Sequence, residues 1–264
     1  MARSAILNVM VTAVLKAGRS LARDFGEVEN LQVSVKGPGD FVAQAARKAG
    51  QSLQDELQRG RPGYSYLSER TGLVEGEDDQ HRWIVEPLDG ATNFLHGIPL
   101  FAVSVALERQ GQLAAAVVYN PAMDELCTAE RGGGAFLNDR RMRVAARRDF
   151  SDAVVAAGIP HLGRPNHPRV LRQLQAVTGE CSGVRGLGAA SIDLAWVASG
   201  RCDAFWENGR SPWQVAAGTL LVREAGGFVT DLDGRSDVLE APTVVAGNEA
   251  MHGALLKLLA RADA

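Results

Sequence analysis

This chain has few cysteines and only a small excess of charge of one sign. Its 264 residues include three cysteines, Cys127, Cys181 and Cys202. A scattered, odd set of this kind has neither the spacing of a zinc site nor the even count of a disulfide framework, so we expect a cytoplasmic protein. The 28 basic and 31 acidic side chains give a net charge of -3, and this lack of basic excess argues against direct nucleic-acid binding.

Long apolar runs are also absent. No stretch of about 18 apolar residues occurs, so no membrane-spanning segment is predicted. The most apolar segment, residues 1–26, is interrupted by Asn8, Thr12, Lys16 and Arg19, and its apolar residues recur at helical spacing. We therefore interpret it as an amphipathic surface helix rather than the less favoured alternative, a targeting segment.

The rest of the composition is that of a folded globular chain, with 46% hydrophobic residues, 22% charged residues and 29 glycines. Apolar periodicity switches repeatedly between helix and strand. A polar stretch, Arg147 to Asp149, predicts a boundary between an N-terminal subdomain, residues 1–145, and a C-terminal subdomain, residues 146–264. We expect the second to close a substrate pocket on the first, so that the two form one functional unit.

Local patterns predict the individual elements. Asp40 is a predicted N-cap after the turn at residues 36–39. Residues 75–80 form an acidic loop, for which a calcium site is the less favoured alternative, and residues 132–134 form a turn. We predict helices at 40–58, 168–177, 191–198 and 213–225, and strands at 31–35, 64–67, 83–85, 101–107, 113–119, 153–157, 204–206 and near Phe228 and Val244.

The stretch WIVEPLDGATNF, residues 83–94, is the most informative part of the chain. A buried strand is followed by a turn at Gly90 and by a helix start, whose backbone N–H groups can face a phosphate. Glu86 and Asp89, three residues apart, can share hard divalent cations such as magnesium. The alternative is a plain strand-to-helix turn in which Asp89 only caps the helix.

Three further positions are candidates of lower specificity. Glu69 ends a predicted strand, where a glutamate is more often simply solvated. Glu207 begins a loop, residues 207–212, that either lines a substrate pocket or is a plain connection. Trp213 with Ala216 to Gly218 predicts a closely packed helix start, which is more often architecture than chemistry.

Taken together, these motifs resemble the inositol monophosphatase family, in particular its bacterial extragenic-suppressor branch, which also serves in transcription antitermination. The resemblance covers essentially the whole chain. It implies an α/β (α+β) fold, a layered αβαβα sandwich of the sugar-phosphatase type, in a homodimer that hydrolyses inositol 1-phosphate or a similar monoester with Mg2+. The stretches that carry it are VKGPGDFVAQAARKA, YLSERTG, WIVEPLDGATNFLHGIPLFAVSVAL, NPAMDELCTAERGGGAFLND, GIPHLGR, GAASIDLAWVASGRCDAFWE and SPWQVAAGTLLVREAGG.

The resemblance assigns roles to the positions that match it. Glu69 would orient the attacking water, and the metal ligands would be Glu69, Glu86, Asp89 and the carbonyl oxygen of Leu88. The phosphate and substrate contacts would come from Asp89, Gly90, Ala91, Thr92, Ala190 and Glu207.

Five positions depart from the family pattern. Arg70 and Gln214 replace acids, the second of them a metal ligand, and Ala46 replaces an Asp that helps to hold the most weakly bound metal. Glu86 occupies the position of a family Asp that bridges two metals. Ala91 occupies the position of a Thr whose hydroxyl helps to orient the water. Such changes predict weak or absent Mg2+ binding and severely reduced or lost hydrolysis.

Two hypotheses follow from these departures. The first is a working magnesium phosphatase of inositol phosphates or a similar polyol phosphate, slow or with a changed metal preference. In that case either the family tolerates the changes or Glu207 and Asp203 supply substitute ligands. The second is a non-catalytic binding or regulatory protein, linked to transcription antitermination, with a protein partner. Arg185 and Arg201 are equally consistent with a partner surface and with plain surface or dimer ion pairs.

Overall fold

The structure is a computed structural model that describes residues 3–28, 38–162 and 166–263. The predicted strand at 31–35 lies outside these ranges. The described helices are α1 Ala5–Gly26, α2 Pro38–Gly60, α3 Ala91–Leu95, α4 His167–Thr178, α5 Ala190–Ala198, α6 Pro212–Glu224 and α7 Glu249–Asp263, with a 3-10 turn at Phe150–Asp152. The strands are β1 Tyr64–Ser68, β2 Gly72–Val74, β3 Asp78–Asp89, β4 Ala102–Arg109, β5 Gln112–Asn120, β6 Glu125–Glu130, β7 Gly134–Leu137, β8 Arg140–Arg141, β9 Val154–Ala157, β10 Gly183–Arg185, β11 Ala204–Asn208, β12 Phe228–Thr230 and β13 Thr243–Gly247.

These elements stack in five layers, which confirms the predicted αβαβα sandwich. Helices α1 and α2 pack on one face of the first sheet, and α5 and α6 fill the space between the two sheets. Helices α4 and α7 cover the outer face of the second sheet. Each apolar sheet face is thereby buried against an apolar helix face, which is the arrangement that stabilises layered α/β proteins.

The two sheets differ in strand direction. The first has the order β2-β1-β3-β4-β5-β6-β7-β8 and is antiparallel except for the pair β1 and β3. The second has the order β10-β9-β11-β13-β12, with β10, β9 and β11 parallel. Both sheets contribute strand ends to the candidate site described below.

Helix α1 is amphipathic, as predicted, and one face of it is buried in the core beside α2, including Met10, Val14 and Leu21. Ser4 caps its start, since the hydroxyl accepts a hydrogen bond from the N–H of Leu7 at 3.1 Å. The search for apolar runs predicted no membrane-spanning segment. By length and composition alone, however, α1 is apolar enough to cross a membrane. Its burial against the sheet shows instead how this apolar surface is used.

Several predicted boundaries were wrong. Helix α2 begins at Pro38, because proline is favourable in the first turn of a helix, and Asp40 lies within that turn instead of capping it. Strand β3 begins at Asp78 and takes up half of the predicted acidic loop. Strand β11 continues to Asn208, so Glu207 belongs to the strand and does not begin the loop. The predicted division at residue 145 stays a prediction; the largest buried cluster includes residues from both sides of it.

The middle layer is closely packed where α5 and α6 cross. A methyl group at Gly218 would lie 2.5 Å from the Cβ of Leu194, so only a glycine lets the two helices approach this closely. Ala216 and Ala217 beside it are buried. The predicted close packing of this helix is therefore confirmed.

Candidate functional site

Parallel pairing of β1 and β3 places two glutamates at one edge of the first sheet. Ser68 lies opposite Val85 in this register. Glu69 and Glu86 are the next residue of each chain segment, and because the carboxyl ends of parallel strands meet at one edge, both acids reach the same region. This pairing is the reason that residues 17 positions apart in the sequence border one cleft.

A bulge in β3 then turns the chain. Glu86 pairs with Ser104 and Asp89 with Ala102, so the two residues between them on β3 face one on β4. Pro87 is one of these two residues, and proline is compatible with a bulge because it has no N–H to donate. The bulge brings Glu86 and Asp89 toward the cleft.

Gly90 is required for the turn that follows. Its φ of 83° lies in the left-handed region, and a Cβ there would lie 2.7 Å from the carbonyl oxygen of Leu100. Helix α3 begins at the next residue, Ala91, as predicted. Gly90 is the N-cap and has no side chain with which to cap this helix, and the alternative in which Asp89 only caps it stays untested.

The carboxylate of Asp89 instead joins this turn to the start of α5. Its Oδ2 accepts hydrogen bonds from the backbone N–H of Ser191 at 2.8 Å and from the Ser191 hydroxyl at 2.7 Å. One helical turn further along α3, the amide of Asn93 donates to the carbonyl oxygens of Leu100 at 2.7 Å and Leu187 at 2.6 Å. These contacts fix the position of α5 relative to the first sheet.

The result is a cleft of about 280 Å³ between the ends of β1, β3 and β11 and the first turns of α3, α5 and α6. Most of the predicted site residues line it: Glu69, Glu86, Leu88, Asp89, Gly90, Ala91, Thr92, Ala190, Glu207 and Gln214. Ala46 and Arg70 line an adjoining recess of about 550 Å³ that shares Glu69 and Glu86 with the cleft. The structure thus brings the predicted positions together; the roles assigned to them stay predictions.

Burial dominates the electrostatics of the β3 acids. Glu86 is only 4% exposed, and this burial, with the neighbouring charges of Asp89 and Glu69, raises its pKa well above the usual value. Within residues 3–28, 38–162 and 166–263, no group of three or more His, Cys, Asp or Glu side chains is arranged to hold a metal ion. The weak or absent Mg2+ binding expected from the replaced positions stays a prediction, as does the alternative calcium site at residues 75–80.

Gln214 uses its side chain within its own helix. Its amide oxygen accepts a hydrogen bond from the N–H of Ser211 at 3.2 Å, and its backbone N–H donates to the Ser211 carbonyl at 3.1 Å. The amide thereby satisfies an N–H group at the start of α6, as the Gln of a capping box does. At this position the side chain stabilises a helix end.

Two charged residues in the cleft were not predicted. Asp193 lies on α5, is 1% exposed, and its pKa is raised well above the usual value by burial and by the charges of Glu207 and Asp89. The Arg210 side chain is 4% exposed and its Nη2 lies 2.5 Å from the Glu207 Oε1. An acid in the otherwise apolar run ASIDLAWVA was the available signal for Asp193. Arg210 had none, since arginine in a polar loop is ordinary.

Two residues named as candidates lie elsewhere. Asp203 does not line the cleft, so it supplies no substitute ligand there. Its carboxylate accepts from the N–H of Val154 at 2.8 Å and from Arg147 at 2.9 Å, which is a structural role. Arg201 forms a bidentate ion pair with Glu125 of the same chain, at 2.7 and 2.6 Å.

Comparison with known proteins agrees with this architecture. The model of the inositol monophosphatase family matches residues 2–264. An inositol-1-monophosphatase from Mesorhizobium japonicum is 66% identical over 257 residues, 97% of each chain, and the Nus factor SuhB of Pseudomonas aeruginosa is 41% identical over 255 residues, 95% of this chain and 94% of that one. The solved structure of the extragenic suppressor protein suhB from Bartonella henselae has a TM-score of 0.90 at 57% identity, covering 97% of this chain and 98% of that one.

The five-layer fold and the acidic cleft at its strand ends define a protein of the sugar-phosphatase type. More specifically, the chain belongs to the inositol monophosphatase family.

Proposed function

We propose that this chain binds a small phosphate monoester of the inositol 1-phosphate type in the cleft, and that its hydrolysis of such esters is severely reduced or lost. The proposal rests on the observation that retained and replaced family positions line the same cleft. Glu69 and Asp89 are retained there, whereas Ala91 replaces the family's water-orienting threonine and Gln214 replaces a metal-binding aspartate. The relatives named inositol-1-monophosphatase support the substrate class.

Each replacement removes a different contribution. Ala91 has no hydroxyl with which to orient water, and losing such a group costs about 10²-fold or more. Gln214 offers a neutral oxygen that is already bonded to Ser211, so a metal would lose an anionic ligand there. Changes outside the coordination sphere cost about 10- to 100-fold in metal affinity, and these are ligand positions. The losses fall on one cooperative unit and need not multiply.

We accordingly propose that Mg2+ binding is weak or absent. Glu86 is buried with a raised pKa, and its side chain is one methylene longer than the aspartate it replaces. If magnesium binds, Glu69, Glu86, Asp89 and the Leu88 carbonyl are the groups that would hold it, and the ion would supply charge for the phosphate. The residues of the chain themselves bind and orient the ester.

The test is phosphate release from inositol 1-phosphate with Mg2+ and with Mn2+. The natural chain is compared with a variant carrying Ala46→Asp, Glu86→Asp, Ala91→Thr and Gln214→Asp. We expect the variant to be faster by orders of magnitude. Equal rates for the two proteins, both well above background, would contradict the proposal.

A matched control separates a restored site from added negative charge. Ala43 is exposed on the same helix as Ala46 and lines only the adjoining recess. The control variant carries Ala43→Asp in place of Ala46→Asp, with the other three changes kept. If both variants gain the same activity, the assignment of position 46 is wrong.

A second candidate is a non-catalytic binding or regulatory role linked to transcription antitermination. It is favoured by the replaced site together with relatives named Nus factor SuhB at 41% and 39% identity. Terminator read-through by a reconstituted elongation complex, with and without the protein, tests this role. No effect of the protein at saturating concentration counts against it.

Three further expectations belong to the proposal. All three cysteines are free thiols, which is compatible with the expected cytoplasmic location. A homodimer is expected from the family, and light scattering of the purified protein tests it. Neither a membrane nor a nucleic acid is a proposed partner.

A further inference from the structure

A buried arginine in the cleft has no part in the proposed function. The Arg210 side chain is 4% exposed, and its Nη2 lies 2.5 Å from the Glu207 Oε1. Neither Nε nor Nη2 has a hydrogen-bond partner in the described part of the chain, so the contact with Glu207 is an ion pair without directed hydrogen bonds. Burying a guanidinium in this way is costly unless nearby negative charge offsets the cost.

The surroundings supply that negative charge. Arg210 lines the cleft together with Asp89, Asp193, Glu207 and Gln214. The Oδ1 of Asp193 is likewise buried without a hydrogen-bond partner in the described residues. This end of the cleft therefore holds three acidic side chains and a fixed cation, next to an amide that caps its own helix.

We propose that Arg210 is a resident cation that supplies, from the chain itself, the positive charge needed at the Asp193–Glu207–Gln214 end of the cleft, and that it excludes divalent metal ions from that end. A guanidinium remains charged at every physiological pH, so the exclusion is permanent. A metal ion placed there would face a like charge at close range and would compete for the same carboxylate oxygens. The inference concerns which cations the cleft holds, and it stands whether or not the chain hydrolyses an ester.

One consequence distinguishes this inference from simple loss of a ligand. If the missing acid at position 214 alone prevented metal binding, Gln214→Asp would restore it. If Arg210 excludes the metal, a new carboxylate at 214 pairs with the arginine, and a metal ion binds at this end of the cleft only when the arginine is removed as well. The exclusion does not extend to the Glu69–Glu86 end, so the activity expected of the fourfold variant comes from positions 46, 86 and 91.

The experiment is titration with Mn2+, followed by the electron paramagnetic resonance signal of the free ion. The proteins are the natural chain, Gln214→Asp, Arg210→Met, Arg210→Lys and the double variant Arg210→Met/Gln214→Asp. We expect the double variant to bind Mn2+ at least about tenfold more tightly than Gln214→Asp, or to bind one ion more. Arg210→Lys, which keeps the charge, should behave as the natural chain does.

A control variant and a folding check complete the test. Arg147 forms an ion pair with Asp203 outside the cleft, and Arg147→Met should leave Mn2+ binding unchanged. Circular dichroism establishes that each variant is folded. If the Arg210→Met proteins do not fold, the Mn2+ affinity of Gln214→Asp is compared with that of the natural chain. An unchanged affinity supports the proposal, and a tenfold gain overturns it. A folded double variant that binds Mn2+ no better than Gln214→Asp also overturns it. Because the measurement needs no turnover, its failure is separable from failure of the proposed function.

Discussion

Asp89 and Ser191 lie 102 positions apart in the sequence, and two hydrogen bonds join them. The carboxylate follows the bulge of β3 in the first sheet, and the serine is the second residue of α5 in the middle layer. An anionic acceptor at a helix N-terminus is favourable, because the first N–H groups of a helix have no partners within it. The contact therefore holds the cleft in shape while it engages one oxygen of an acid expected to bind metal.

The first prediction concerns the hydroxyl half of this contact. Ser191→Ala keeps the backbone N–H bond to Asp89 but removes the hydroxyl bond at 2.7 Å. Because both residues are buried, the carboxylate loses a donor that water does not replace, and we expect a loss of about 1–3 kcal/mol. Urea unfolding measures it. Ser199→Ala, after the other end of α5, is the control, and its partly buried hydroxyl bond of 3.2 Å should matter less. Equal losses of unfolding free energy in the two variants would show that the hydroxyl bond to Asp89 stabilises the fold no more than the bond of Ser199 does.

The second prediction separates backbone strain from steric contact at the turn. Gly90 and Gly97 both have positive φ, 83° and 70°. A Cβ at Gly97 would meet nothing within 4 Å, whereas at Gly90 it would lie 2.7 Å from the Leu100 oxygen. We expect Gly97→Ala to cost about 1–2 kcal/mol for the left-handed conformation alone. Gly90→Ala should cost about 1–3 kcal/mol more for overpacking. Thermal unfolding compares the two, and a smaller loss at Gly90 would contradict the close approach of this turn to Leu100.

Much of the fold follows from local patterns. Helical spacing of apolar residues predicts α1, and the predicted helix at 168–177 is found as α4, His167–Thr178. The predicted strands at 101–107 and 113–119 are found as β4 and β5, which pair as a hairpin. The two residues that join them, Gln110 and Gly111, both have positive φ. Such features depend on interactions among near neighbours, which a single sequence contains.

The features that local patterns miss depend on tertiary contacts. Strand β3 is longer than its apolar part, because polar residues before Trp83 also pair with neighbouring strands, as Asp78 does with Tyr64 and His81 with Arg109. The burial of Asp193 and Arg210 in the cleft could not be predicted from neighbouring residues, because it depends on parts of the chain that are distant in the sequence. The cleft itself was predictable as a set of residues only through the family motifs, which carry long-range information.

The third prediction concerns Glu86. Burial raises its pKa, so in the folded chain the carboxyl group keeps its proton at pH values where the unfolded chain has lost it. Glu86→Gln, which is neutral and of the same size, should therefore leave the stability at pH 5 nearly unchanged and increase it as the pH rises. Urea unfolding at pH 5, 7 and 9 measures the difference. If the variant is instead less stable by a similar amount at all three pH values, the ionised form of Glu86 is being stabilised in the fold.

The fourth prediction tests Asp193 in the same way at the other end of the cleft. Its pKa is raised by burial and by the charges of Glu207 and Asp89, so the folded state binds one more proton than the unfolded state above the ordinary carboxyl pKa of about 3.9. The contribution of this group is complete below that pH and is lost as the pH rises, at up to about 1.4 kcal/mol per pH unit. Asp193→Asn keeps an acceptor for the backbone of Leu187 and has no proton to lose, so its stability should fall less steeply with pH than that of the natural chain. Asp79→Asn, an exposed acid, should follow the natural chain. If the free energy of unfolding of Asp193→Asn changes with pH in parallel with that of the natural chain, Asp193 is ionised in the fold. Arg210 is then the only arginine or lysine among the described residues of the cleft wall that could offset its charge.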